Sequence, residues 1–495
     1  MKMYLSIIKH WKYLGIIVMS ALLFNSCEQS QAKASKTVSE NKSKEIHTLV
    51  NQYVENGKFN GSVLVAKEGE IVFKSGYGFA NVEWDKPNES NTKFRLASVS
   101  KQFTAMLIMQ LVEKNTVNLH EPISKYLPNY PKEKGDQISI HQLLIHSAGV
   151  PEPDFDRKQN YNPDQLIDVF SDHELLFKPG EKFSYSNSGY ILLGKIIENV
   201  TGKSYEEVLK EKIFVPLNMK HSGYDNHRDV IANKATGYNK FGGKYTYARF
   251  IDMSSPFSAG AIYSTVEDLF LWDRALYSDQ LLPKVYMNLL FDGYIKESVN
   301  SYYGYGWSIG ELFIGNTTES VKTIRHDGII NGFTSFIVRM PETQSLVVLL
   351  NNTGRAPLHQ MTKDITGILF DVTYDFPKKS MANALVDVIK KKGIDKAMEF
   401  YKANEHSEVY YLNESEINVA AYDFLFLDKI NEARELFELN IKAFPNAFNV
   451  YDSYGEFLMK QGNTPNAIEH YEKSLELNPN NRNAERMIAQ LMSKC

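Results

Sequence analysis

Along the chain the spacing of apolar positions changes style more than once. From Leu14 to Phe24 the residues are mostly apolar, in a run too short to span a bilayer as a mature helix. From Glu45 to about Leu369 two periodicities alternate. Ser62 to Ala66 and Ile71 to Ser75 are β-rich runs joined by Lys67-Glu68-Gly69-Glu70, the pattern of a hairpin. Thr334 to Arg339 and Ser345 to Leu350 form a second pair around Pro341-Glu342. Between these pairs, Val99 to Lys114, Asn187 to Val200, Tyr205 to Ile213 and Val266 to Leu276 read as helices. Strands at both ends with helices between predict one α+β domain over residues 44–369, with an antiparallel sheet joining its start to its end.

Beyond Leu369 the pattern turns helical without strand signals, over residues 370–495. Ala433, Phe437, Ile441 and Pro445 recur as Ala467, Tyr471, Leu475 and Pro479, each 34 residues later, with a weaker copy at Ala397 and Tyr401. A small residue where two helices cross, an aromatic one turn on and a closing proline resemble the tetratricopeptide repeat. Such an array implies either a concave groove for a peptide or protein partner or a cap on the first domain.

The amino terminus changes the picture by giving the chain an address. Lys2, Lys9 and Lys12 precede the apolar run, and small Ser26 stands before Cys27. That arrangement resembles a bacterial lipoprotein signal over residues 1–26, with Cys27 as the lipidated first residue of a membrane-anchored protein in the cell envelope. Phe24 and Asn25 depart from the usual pattern there, so plain secretion stays open. Residues 28–43 are polar, lack aromatics and read as a flexible tether. With Cys27 lipidated only Cys495 remains, and no intrachain disulfide can form. A formal charge of −4 over 495 residues leaves no basic footprint for nucleic acid.

The candidate chemistry begins with Ser-x-x-Lys, which occurs at Ser6, Ser30, Ser39, Ser90 and Ser98. Ser6 lies in the leader, Ser30 and Ser39 in the tether, and Ser90 in a polar turn. Ser98 opens a long apolar helix, where three residues of spacing put Lys101 on its own face. A serine hydroxyl is a poor nucleophile until a neighbouring base takes its proton. Lysine serves as that base only if burial or positive charge lowers its pKa well below ~10.4. The competing reading of Ser98 is a simple helix cap.

Order and surroundings decide between them. The segments FRLASVSKQFTAMLIMQLVEKNTVNLHEPISKYLP, ISIHQLLIHSAGVP, FKPGEKFSYSNSGYILLGKIIENVTGKSYEEVL and HDGIINGFTSFIVRMPE resemble class C β-lactamases and their relatives among penicillin-binding proteins. Those relatives include D,D-peptidases, D-amino-acid amidases and esterases. The resemblance covers about residues 45–365. It implies an antiparallel sheet with flanking helices, Ser98 as the acylated nucleophile, Lys101 sharing its proton, and Tyr185 as partner base and leaving-group acid. Asn187 would bind the lysine and the substrate's acyl amide. The backbone N–H groups of Ser98 and Ile329 would form the oxyanion hole, beside Gly328.

One departure bears on substrate. His326-Asp327-Gly328 stands where lactamases carry Lys-Thr-Gly. A mostly neutral histidine at 326 would hold a carboxylate weakly, so slow acylation by penicillins is expected. If His326 touches an anionic substrate, activity should rise as pH falls. His146 is expected to be a structural histidine, while Tyr303-Gly304-Tyr305-Gly306 and Trp307 are open between pocket lining and core. No zinc motif, nucleophile elbow or phosphate-cradling loop is present, and neither metal nor cofactor is expected. The expected function is hydrolysis of an amide or ester through an acyl-enzyme. A β-lactamase, or a ligand sensor signalling through the repeats, is the alternative.

Overall fold

The computed structural model of the chain describes residues 40–226, 228–241 and 244–493. The leader, Cys27 and most of the tether lie outside them. Among the described residues no helix is long and apolar enough to cross a membrane. The described chain opens with a helix over residues 40–55 (α1), so the last four residues assigned to the tether are helical. Lys42 explains why. Its buried ammonium donates to the carbonyls of Ile368 (2.8 Å) and Leu369 (3.2 Å), at the C-terminus of a later helix where a cation is favoured.

The hairpin that follows pairs Gly61–Lys67 (β1) with Glu70–Tyr77 (β2). Helices Lys101–Glu113 (α2), Asn187–Thr201 (α3) and Val266–Ala275 (α4) come next, at the positions their periodicity predicts. Tyr205 to Ile213 is α-helical only to Leu209 and continues as a wider π turn, Lys210–Phe214. The chain then builds Ile295–Ser298 (β3), Ser301–Tyr303 (β4), Ser308–Phe313 (β5), Ser320–Ile330 (β6), Phe333–Met340 (β7) and Ser345–Asn351 (β8), and closes with Leu358–Leu369 (α5). The eight strands form one sheet, in the order β3-β4-β5-β6-β7-β8-β1-β2. All neighbours are antiparallel, and β1 joins β8 in the register Gly61↔Asn351.

Strand alternation gives the sheet two buried faces. Leu64, Ala66, Leu346, Val348 and Leu350 pack into the core shared with α2, α3 and α4. Val63, Val65, Val347 and Leu349 pack under α1 and α5. Burial on both faces is why β1 and β8 read as continuous apolar runs.

The first compact unit ends at Phe376, not Leu369. Residues 370–376 carry no helical periodicity, so the change of style in the sequence marks the end of α5 rather than the end of the unit. The second unit, from Pro377, holds seven helices between Met381 and Met492 among its described residues. It also has a two-residue parallel pairing, Lys379–Ser380 with Tyr410–Tyr411, that no strand signal announces. The repeated alanines and aromatics are its core: Ala397, Tyr401, Ala433, Phe437, Ala467 and Tyr471 are all buried. Gly455 shows why small residues recur, since a Cβ there would meet the Tyr471 ring at 3.1 Å.

Candidate active site

Ser98 does not open an α-helix directly. It sits in a 3-10 turn, Ala97–Ser100, that runs into α2, and Ala97 has φ +49°. A left-handed alanine costs about 1–2 kcal/mol and persists only where its surroundings hold it. Here Ser335 of β7 donates to Leu96 O (2.6 Å), Leu96 N–H donates to Ile262 O (2.8 Å), and Ile262 N–H donates to Ser100 Oγ (3.1 Å). The turn is thus held from both sides with the Ser98 hydroxyl half-exposed.

Lys101, one turn on, is fully buried. Its Nζ lies 3.2 Å from Ser98 Oγ, 2.7 Å from Asn187 Oδ1 and 3.0 Å from Ala259 O. Burial drives its pKa from 10.5 down to about 7, against the opposing pull of Glu152 and Asp327. The three neighbours suit both protonation states. An ammonium can donate to all three. A neutral amine can donate to Asn187 and Ala259 while its lone pair accepts from the Ser98 hydroxyl.

Tyr185 precedes α3, whose N-cap Ser186 accepts from Gly189 N–H (3.1 Å) and donates to Val150 O (3.1 Å). Its ring lies tilted against His146 with the centroids 4.2 Å apart, and Lys101 Nζ stands 4.8 Å from its centroid. Burial of the hydroxyl raises the Tyr185 pKa, and the facing Ser98 hydroxyl opposes this only in part. The phenol therefore keeps its proton near neutrality, a state suited to donating rather than accepting. His146 is buried and accepts Ser186 N–H at Nδ1 (3.0 Å), and burial holds it neutral. It acts as a backing plate for Tyr185.

The third element is β6. It pairs with β7 as far as Ile330 but with β5 only from Ser320 to Arg325, so its edge lies open from His326 onward. This open edge passes beside Ser98. A Cβ on Gly328 would stand 2.1 Å from Leu96 O and 3.1 Å from Ser98 N, so only glycine allows the approach. Ile329 is 72% exposed at the mouth.

His326 departs from expectation. It is buried, its Nδ1 lies 2.6 Å from Asp327 O and its Nε2 lies 2.8 Å from Tyr303 Oη. A carbonyl only accepts, so Nδ1 carries the proton and Nε2 accepts from the tyrosine. Burial lowers the His326 pKa further. With both nitrogens committed, an activity gain at low pH through His326 has no free atom to act through. Tyr303, Tyr305 and Trp307 belong to the core, and Tyr303 supplies the His326 contact.

Two hollows meet at Ser98 and Ile329. One, of about 300 Å³, adds Asn187, Glu152, Arg157, Arg355 and an apolar floor including Phe155, Phe170 and Ile191. The other, of about 530 Å³, adds Tyr185, His326, Asp327, Arg325 and Glu297. Sequence reasoning missed Glu152, Arg325 and Glu297. Glu152 Oε1 accepts Ser188 N–H (2.6 Å), and Oε2 accepts Asn187 Nδ2 (3.1 Å), which occupies an amide donor expected to face substrate. Its signal was its place just after the LLIHSAGVP segment; the other two had none. No group of three His, Cys, Asp or Glu among the described residues could hold a metal.

Comparison with known proteins agrees with this arrangement. A β-lactamase family model matches residues 46–366 and a tetratricopeptide model matches residues 448–481. Penicillin-binding protein 4* of Bacillus subtilis is 28% identical over 382 residues, 72% of this chain and 82% of that protein. Among solved structures, a penicillin-binding protein from Bacillus halodurans is 28% identical with TM-score 0.57, covering 64% of this chain and 97% of that one. D-amino acid amidase from Ochrobactrum anthropi is 25% identical with TM-score 0.58, covering 67% and 99%. The chain belongs to the β-lactamase family and carries a tetratricopeptide repeat behind that domain.

Proposed function

We propose that this chain is an exported, lipid-anchored serine hydrolase that cleaves an amide or ester through an acyl-enzyme on Ser98. The observation that carries the reading is Lys101, a buried amine with pKa about 7 placed 3.2 Å from a half-exposed serine hydroxyl. Neutral Lys101 takes the Ser98 proton as Oγ attacks the carbonyl. The oxyanion that forms is held by the N–H groups of Ser98 and Ile329. Tyr185 gives its proton to the leaving group and regains one from Lys101. Water then attacks the ester by the same route in reverse. The repeat array would engage a peptide or protein partner.

Because Tyr185 must touch the leaving group, that group lies in the larger hollow and the acyl group in the smaller one. An apolar floor with the Glu152 carboxylate at its edge suits an acyl group bearing an aromatic or aliphatic side chain and a free amine, as in an amino-acid amide. A single carboxylate contact of this kind is worth about tenfold. Glu152→Gln is therefore expected to raise KM for D-phenylalanine amide about tenfold while changing KM for p-nitrophenyl butyrate by less than about twofold. Equal effects on both substrates would remove the amine-recognition role. Slow hydrolysis of nitrocefin is expected beside either substrate.

Gly328→Ala tests the strand approach. The new methyl must displace Leu96 or Ser98, which should cost about 1–3 kcal/mol of stability and at least ~10²-fold in turnover. Thermal melts and ester kinetics read the two separately. Unchanged kinetics would show that Ser98 does not depend on this contact.

A further inference from the structure

The run Tyr303-Gly304-Tyr305-Gly306-Trp307 is the reason that the edge of β6 lies open. Tyr303 ends β4 and Ser308 begins β5, paired with each other across this turn. Ser308 faces Arg325 on β6, so a β5 begun two residues earlier would set Gly306 opposite Asp327. Instead the turn folds inward. Gly306, at φ +77°, lies against α2, where a Cβ would stand 2.8 Å from Lys101 O, and Tyr305 and Trp307 are buried.

The missing partner leaves particular backbone groups unpaired. Asn331-Gly332 is a two-residue turn between β6 and β7, with Ile330 opposite Phe333. In such a hairpin the flanking pair and every second pair beyond it exchange both bonds, so Ile330, Gly328 and His326 bond to β7. Asp327 and Ile329 therefore turn their N–H and C=O groups toward the open side. The Asp327 carbonyl has found a donor there, since His326 Nδ1–H reaches it at 2.6 Å. That donor is itself held, with Nε2 2.8 Å from Tyr303 Oη. Tyr303 also meets the hydroxyl of Tyr190, whose own hydrogen goes to Leu144 O at 2.8 Å. Nε2, the unprotonated nitrogen, takes the Tyr303 hydrogen. The Tyr303 ring is fixed by His146 and Phe183, with centroids 4.7 and 5.7 Å away.

Resting on the acyl-enzyme reading above, we propose that Tyr303 and His326 are positioning residues that replace the absent stretch of β5. Tyr303 fixes the tautomer and tilt of the imidazole, and the imidazole ties down the Asp327 carbonyl. The edge so held keeps the Ile329 N–H aimed at the oxyanion. Neither side chain touches substrate. A β5 long enough to pair with Asp327 would instead fill the hollow beside Ser98 and Ile329.

The test uses the full chain with p-nitrophenyl butyrate as substrate and 1-butaneboronic acid as probe. The boronate adduct on a serine is tetrahedral and sets an oxygen where the oxyanion forms. His326→Leu is expected to lower kcat about 10²-fold, because a misplaced N–H is missed in the transition state. Acylation and deacylation both pass through an oxyanion, so KM should stay within about twofold. The Ki of the boronic acid should rise by about the same factor as kcat falls. Tyr303→Phe leaves the imidazole in place but untethered, and should lose about tenfold in kcat. In His326→Asn the side-chain amide can donate to the Asp327 carbonyl, and about tenfold of the loss should be recovered. Rates are referred to the sites that a fluorophosphonate titrates, which removes any unfolded fraction. A raised KM with kcat unchanged, a His326→Asn as impaired as His326→Leu, or an unchanged kcat in Tyr303→Phe would overturn the positioning role alone. Failure of the ester to acylate Ser98 would overturn the acyl-enzyme reading and the positioning role together.

Discussion

Replacing Ser98 by alanine should remove turnover by at least ~10⁴-fold while leaving a folded protein. The hydroxyl has no capping duty, because the 3-10 turn is preceded by Leu96 with no side-chain cap bond. It is half-exposed, and its side chain meets Lys101 Nζ at 3.2 Å and the Tyr185 hydroxyl. Each such bond lost costs about 0.5–1.5 kcal/mol, a small shift in a thermal melt. The chemistry, in contrast, loses the hydroxyl placed against the buried amine. Treatment of the unmodified protein with a fluorophosphonate should place a covalent adduct on the peptide containing Ser98. Ser147 and Ser258 are the informative alternatives, since both lie near the site in sequence or space. Both are almost fully buried, and Ser258 Oγ is spent on Tyr190 O at 2.8 Å. An adduct on either, or turnover surviving in Ser98→Ala, would refute the assignment.

Much of this site was legible in the sequence because its parts are local. Ser98 and Lys101 are one turn apart, and a helix fixes their relation whatever the rest of the chain does. Tyr185, Ser186 and Asn187 announce a helix start, and Gly328 announces a close approach to a strand. Their convergence was legible only through resemblance, since 86 residues separate Lys101 from the Asn187 it contacts. What stayed hidden depends on long-range register. Nothing in Arg325-His326-Asp327 says that the histidine turns inward onto Tyr303 while its neighbours face the hollow. That follows from where β6 outruns β5, which only the assembled sheet defines. The boundary at Phe376 and the helical state of residues 40–43 were hidden likewise. Lys42 looks like one more charge in a polar stretch until the carbonyls at the end of α5 are placed above it.

The pH profile should carry the signature of Lys101. An unperturbed lysine loses its proton near ~10.4, so a lysine base would leave kcat/KM climbing through the alkaline range. Burial lowers this amine to about 7, and the form that can accept the Ser98 proton is the neutral one. For a neutral ester, kcat/KM should therefore rise with pH through about 7 and level off above it. Glu152 and Asp327 both favour the charged form and so hold this pKa up. Removing either charge, as Glu152→Gln or Asp327→Asn, should move the rising limb to lower pH. A limb set by any group unrelated to Lys101 would not follow both variants in that direction. Lys101→Arg supplies the limiting case. A guanidinium stays charged at every usable pH, and its planar fork does not fit a site where Nζ touches three oxygens. That variant is expected to lose at least ~10³-fold in kcat/KM with no rising limb left to measure. A profile flat between pH 6 and 9 in the unmodified protein, or one unmoved by Glu152→Gln, would mean that Lys101 is not the base that activates Ser98.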